Sequence, residues 1–228
     1  MTLLELVNRL IAECGVAGGA LATLVSPTDE SARLTNWIIQ SDLEIQELHH
    51  DWNFLRAEVE FDTVAGDWSY APVTEITAIT KFSEWKTDDL RVYLKSAGYG
   101  SETHLGEAMA YDAFRSYWRF NMRRSTQSRP VAWSIAPDYS LVLGPVPNDV
   151  YTVVAEYFKE PTVMASDGDT TVIPARFQMS IVYRAMMKYG AYEAASEVYN
   201  AGQDEYKRML AAMELNQLPR MQLPGSLA

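Results

Sequence analysis

The chain is short of cysteine, histidine and positive charge. Its 228 residues hold one cysteine and three histidines, and 19 Lys and Arg stand against 30 Asp and Glu, for a formal net charge of −11. The lone Cys14 excludes an internal disulfide and any multi-cysteine metal site, as expected of a protein made in the cytoplasm. An acidic chain does not wrap nucleic acid by neutralising phosphates, because that binding strength comes from Lys and Arg. It can still surround DNA loosely, since an acidic wall repels the backbone and lets it slide. No run of about 18 apolar residues occurs, so no membrane span is expected. The opening MTLLELVNRL carries Glu5 and no basic n-region, so it is not expected to act as a signal peptide. A Gly-rich phosphate loop, G-x-S-x-G and H-E-x-x-H are all missing. There is no internal repeat.

Apolar residues are plentiful, at 48%. This composition belongs to a folded chain with a real core, and the length suits one domain or a domain with a large insertion. Leu3, Leu6, Val7, Leu10, Ile11 and Cys14 share one stripe at 3.6-residue spacing, so residues 2–14 are predicted helical, stopped by Gly15, Gly18 and Gly19. On that stripe Cys14 reads as a packed thiol rather than a nucleophile. A second helix is predicted over roughly 29–50, capped by Thr28 or Asp29, with Leu34, Trp37, Ile38, Ile45 and Leu48 facing inward.

From Ala57 the period changes to two. In RAEVEFDT, Ala57, Val59, Phe61 and Thr63 alternate with Glu58, Glu60 and Asp62, the pattern of a half-buried antiparallel strand. Further strands are predicted around 90–95, 131–136, 139–144 and 151–158, with a turn over Gly144–Asp149. Glu107–Phe120 reads as a helix anchored by Met109, Phe114 and Tyr117. Residues 175–189 are apolar almost all round, as in a central buried helix, and 191–213 continue as an amphipathic helix through Val198, Tyr206, Met209, Leu210 and Met213.

The expected class is α+β. A bundle of N- and C-terminal helices (1–56 with 175–213) carries a β-rich antiparallel insertion (57–174) and an extended C-terminal arm (214–228).

QELHHDWNFL (46–55) sets two histidines beside an aspartate. Adjacent helical residues point about 100° apart and cannot share a metal, and His104 is far along the chain. His49, His50 and Asp51 therefore read as a helix end, with Trp52, Phe54 and Leu55 as a core plug. Ser166–Thr170 faintly resembles a calcium loop but lacks its frame and its terminal bidentate Glu, so it reads as a surface turn. Glu58 and Glu60 read as a solvated strand face rather than a glycosidase dyad. No catalytic residue, metal site or cofactor is expected.

Arg119, Arg123, Arg124 and Arg129 form the one basic cluster. Contact with a neighbouring subunit or partner, simple solvation at a helix end, and direct DNA contact all remain open for it. The tail NQLPRMQLPGSLA places Leu218, Met221, Leu223 and Leu227 in a segment whose prolines keep it extended. It is either a loose end or an arm that lies in a groove of another chain.

RLTNWIIQSDLEIQELHHDWNFL, RPVAWSIAPDYSLVLGPVPNDVYTVVAEYFKEP and TVIPARFQMSIVYRAMMKYGAYEAASEVYNAGQDEYKRML resemble the head-to-tail adaptor (connector) proteins of tailed bacteriophages. Trp133 with Leu141–Pro145, and the helix start at Ile173–Phe177, carry most of that likeness. The order of parts is similar to the tail tubular A type of short-tailed phages.

The resemblance implies a structural virion protein, not an enzyme, at the capsid–tail junction. It implies a twelve-fold ring of identical subunits beneath the portal protein that extends the DNA channel and meets a tail or neck protein below. Double-stranded DNA would pass through the lumen without specific binding. The arm Pro219, Arg220, Met221, Gln222, Leu223 and Pro224 would dock onto the portal. Another neck or tail-completion protein, or a wall-degrading hydrolase suggested only by the many carboxylates, stands as the alternative.

Overall fold

The computed structural model describes residues 1–27 and 29–219. Thr28, and the arm residues Arg220, Met221, Gln222, Leu223 and Pro224, lie outside the described residues. Five α-helices are found among the described residues: α1 (Leu3–Cys14), α2 (Asp29–Glu47), α3 (Tyr111–Trp118), α4 (Met179–Tyr192) and α5 (Ser196–Gln217). The strands are β1 (Arg56–Asp62), β2 (Ser69–Tyr70), β3 (Phe82–Leu94), β4 (Thr103–His104), β5 (Gln127–Ser128), β6 (Ala132–Ile135), β7 (Leu141–Gly144), β8 (Val146–Pro147) and β9 (Tyr151–Lys159). The class is α+β with antiparallel main sheets. Two units divide it: Met1–Leu55 with the chain from Pro161 onward, and Arg56–Glu160.

The first unit is helical. α1 starts with a reciprocal cap, in which Glu5 N donates to Thr2 Oγ1 (3.2 Å) and Thr2 N donates to Glu5 Oε2 (2.9 Å). Two orphan donors of the first turn are thereby satisfied. Leu3, Leu6, Val7, Leu10 and Ile11 are buried on the anticipated stripe, each contributing roughly 1.5–3 kcal/mol of burial. The helix stops at Gly15 in the left-handed conformation.

The apolar helix α4 packs against α1, α2 and α5. It meets α5 closely because α5 carries Gly202. A Cβ there would lie 2.9 Å from the Tyr183 carbonyl oxygen and 3.0 Å from Met186 Cβ.

Several boundaries differ from the sequence expectation. α2 ends at Glu47, so Leu48 is exposed rather than inward-facing. α5 runs to Gln217, beyond the expected end at Met213, and Leu218 is extended (φ −91°, ψ 151°). Pro219 restricts the residue before it, which fixes the stop at Leu218 and leaves Glu214–Gln217 free to stay helical.

Residues 161–174, assigned to the insertion on sequence grounds, belong with the helices. Gln46 binds the Thr162 backbone through both side-chain amide atoms (Nε2 donating to the Thr162 carbonyl, 3.1 Å; Oε1 accepting from Thr162 N, 2.8 Å), and Thr171 Oγ1 donates to Asp42 (2.5 Å). The second unit thus closes at Glu160 rather than at Pro174.

That unit is built on a four-stranded sheet of order β1-β9-β3-β4, with a three-stranded sheet β2-β7-β6 and the short parallel pair β5-β8. β1 runs antiparallel to β9 from Arg56 opposite Phe158 to Asp62 opposite Thr152. Val59, Val92, Leu141, Leu143, Val153, Trp85 and Trp133 fill its core. The two indoles are satisfied in place, Trp85 Nε1 by the Tyr139 carbonyl and Trp133 Nε1 by the Gly106 carbonyl, each at 2.8 Å.

β3 begins at Phe82, well before the expected 90, and a register shift falls between Trp85 and Leu90. The predicted helix Glu107–Phe120 shortens to α3. Ala108 N and Met109 N donate instead to Thr87 and Trp133 carbonyls (2.8 and 2.9 Å), so Met109 is a sheet-like bridge residue and not a helical anchor.

Candidate functional site

The histidine pair lies just past the end of α2. His49 Nε2 is 3.1 Å from Glu214 Oε1, and its ring meets Trp52 edge-on at 4.9 Å between centroids. Trp52 is fully buried, donates its Nε1–H to the Ile45 carbonyl (3.0 Å), and stacks on Phe54 at 5.3 Å. The indole thereby adds a second donor to a last-turn carbonyl that otherwise accepts a long bond from Leu48 N (3.4 Å). His104 pairs with Asp89 at 2.9 Å. Among the described residues, no three His, Cys, Asp or Glu side chains are arranged to hold a metal ion.

The loop that faintly resembled a calcium site spends its carboxylates on the fold. Asp167 accepts from Leu24 N (3.0 Å) and Thr23 Oγ1 (2.6 Å), and Asp169 accepts from Ala165 N and Ser166 N (2.8 Å each). Its carbonyls at Asp169 and Asp167 also take the Leu3 and Leu4 amides at the start of α1 (2.8 and 3.2 Å). Cys14 is half-buried, and burial, with Glu13 adding to it, pushes its thiol up to about 12. A thiol held there is almost wholly protonated at neutral pH and a poor nucleophile.

The arginine cluster does not form one patch of equivalent cations. Arg129 turns inward, its Nη2 donating to the Val92 carbonyl (3.1 Å) and to the Ser101 carbonyl. Arg119 lies over the Trp68 ring at 3.3 Å. Burial, with the charge of Arg124 adding to it, holds its guanidinium below the usual value. Arg123 covers the Tyr117 ring at 3.9 Å, and Arg124 is exposed.

Around these cations the end of α3 and the following turn expose Tyr117 (47%), Phe120 (49%) and Met122 (86%), which line a groove of about 370 Å³ with Ser116 and Arg123. Arginine, aromatics and methionine are the residue types enriched where proteins meet proteins. The corner is therefore a surface suited to assembly.

A second surface went unforeseen in the sequence. On the four-stranded sheet, Glu60, Phe61, Tyr93, Lys95, Gly98 and Tyr99 line an open cup of about 420 Å³. Tyr93 and Tyr99 lie 5.0 Å apart, and Tyr99 is 71% exposed. Asp62 in the cup is committed to Lys95 (2.6 Å) and Thr152 (2.7 Å), which hold its carboxyl below the usual range. Glu60 makes no ion pair among the described residues. The only advance signal was the pair of tyrosines around Gly98, since Glu60 and Asp62 looked like ordinary solvated residues.

Pro219 follows the end of α5, and the rest of the candidate arm lies outside the described residues. No helix among the described residues is long and apolar enough to cross a membrane.

A family model described as SU10 adaptor protein matches residues 1–227. No curated protein matches the chain. The chain belongs to the SU10 adaptor protein family, and it is thereby a phage structural adaptor of the capsid–tail junction.

Proposed function

We propose that this adaptor closes into a ring of twelve identical subunits between the portal protein and a tail or neck protein, with double-stranded DNA passing through the lumen unbound. The observation that carries the ring is the arginine–aromatic corner at Tyr117–Arg124, exposed on a chain of net charge −11. Closed rings need a heterologous interface, in which one patch meets a different patch on the next copy. A single basic, apolar corner on an acidic protein has the character of one half of such a contact. Net negative charge also suits a lumen through which DNA slides.

The role is mechanical and the chain has no catalytic function; the whole-chain family match supports this. The arm Pro219–Pro224 reaches the portal and docks there. Prolines narrow the backbone choices open to any unbound peptide, which lowers the entropy lost on binding.

The test is to co-express the full chain with its portal protein and image the product. A ring of high rotational symmetry seated on the portal is expected. A chain shortened after Leu218 keeps all of α5, including the Leu218 N to Glu214 O bond (3.1 Å), and tests the arm without damaging the helical unit. It is expected to fold and to lose portal attachment. Normal attachment of the shortened chain would refute the arm assignment.

A further inference from the structure

The arginine corner and the tyrosine cup are opposite in charge, and both expose aromatic side chains. The corner offers Arg124, exposed and beside the almost bare Met122 and half-exposed Phe120. The cup offers Glu60, with no ion pair among the described residues, on a floor of Phe61, Tyr93 and Tyr99. Tyr93, and after it Glu60, pushes the Tyr99 phenol above its ordinary value. A guanidinium is the group that such a cup would hold best. It pairs with a carboxylate, and it lies over an aromatic face with a gain of about 0.5–2 kcal/mol. This chain already places its arginines on aromatic rings, at Trp68 and at Tyr117.

We propose that the cup of one copy receives the corner of the next, with Arg124 reaching Glu60 and Tyr99 and with Met122 and Phe120 seated alongside. The occupant of the cup is thus a second copy of this chain. Corner and cup are different patches of the Arg56–Glu160 unit, so the contact is head-to-tail and leaves a free corner and a free cup at the two ends of any chain of copies. The ring proposed above rests on a contact of this type, and the cup–corner pairing names its two halves. Residues Lys95 and Arg91 do not oppose it, because each is engaged by carboxylates of its own, Asp62 at 2.6 Å and Glu102 at 2.9 Å.

The pairing is tested by cross-linking and by charge exchange in the full-length protein. With Cys14→Ala as background, Tyr99→Cys and Met122→Cys in one chain, treated with a short bis-maleimide, are expected to give a ladder of oligomers. An equal mixture of the two single-cysteine chains is expected to stop at the dimer. Dimers from Met122→Cys alone would instead reveal a two-fold contact and overturn the proposal.

Sedimentation of the uncross-linked protein supplies the second arm. Glu60→Arg alone and Arg124→Glu alone are each expected to weaken self-association at least about tenfold by placing like charges together. The double exchange is expected to restore it. All of these positions are exposed, and circular dichroism of each variant checks the fold.

Rings of wild-type protein without a ladder would overturn the pairing and leave the ring standing. A ladder with only open chains in micrographs would keep the pairing and overturn the ring. Neither ladder nor ring would overturn both.

Discussion

Asp42 is the most informative single titration. It lies at 1% exposure on α2, accepting from Thr171 Oγ1 (2.5 Å) and Gln46 Nε2 (2.8 Å). Burial raises its carboxyl to about 6, against the partial opposition of those two hydrogen bonds. The folded state therefore holds the proton more tightly than the unfolded chain, whose carboxyl titrates near about 3.9. The stabilisation from proton binding is fully present below the unfolded value and is lost as pH rises through about 6.

At about 1.36 kcal/mol per pH unit, the whole span is worth about 3 kcal/mol, of which roughly 2 kcal/mol falls between pH 7.5 and 4.5. Asp42→Asn mimics the protonated form at every pH. Urea denaturation of both proteins across that range is expected to show the variant gaining on the wild type by roughly 2 kcal/mol as pH rises from 4.5 to 7.5. Glu44, Asp62, Asp88 and Asp169, whose carboxyls are held low, push stability the other way as pH falls, but they are common to both proteins and cancel in the difference. A difference that stays flat with pH would refute the reasoning.

Two further outcomes are expected of the helical unit. Gly202→Val places a side chain 2.9 Å from the Tyr183 carbonyl and should lower stability by roughly 1–3 kcal/mol, read as a fall in melting temperature, whereas Gly168, with nothing within 4 Å, should tolerate alanine. Cys14, with its thiol pushed up to about 12, should react with a thiol-specific chromophore at pH 8 far more slowly in the native protein than in urea; equal rates would contradict its burial.

The amphipathic stripes made the helices legible, because periodicity reports burial directly. α1 carries its buried residues where spacing put them, and β1 alternates as RAEVEFDT requires. Legibility failed where the pattern is broken by design of the backbone or by distant partners. The first half of β3 escaped notice because Lys86, Thr87, Asp88 and Asp89 run together across a register shift, which erases the two-residue period. Met109 was misread as helical because its neighbours have helical spacing, while its amide is taken by Trp133 from another strand. Residues 161–174 have no periodicity at all; their place is fixed by Gln46 and Asp42, more than a hundred positions earlier in the chain.

The same distance hid the cup, whose Glu60 comes from β1 and whose tyrosines come from β3 and the turn after it. The arginines are visible as a cluster in the sequence, but it is the fold that turns Arg129 inward and leaves Arg124 outward.

Arg56 and Phe158 are cross-strand partners, so the long excursion from the helices departs and returns at neighbouring points. Once β1 and β9 have zipped, the helical halves are tethered as though by a short hairpin, and the entropic penalty of joining α2 to α4 falls from that of a very long loop to that of a tight one. Such a cassette can be traded for another of different size while its host stays intact, provided the replacement also begins and finishes on paired strands. A lineage of adaptors could in this way remodel the surface it shows to its neighbours without rebuilding the bundle that carries it.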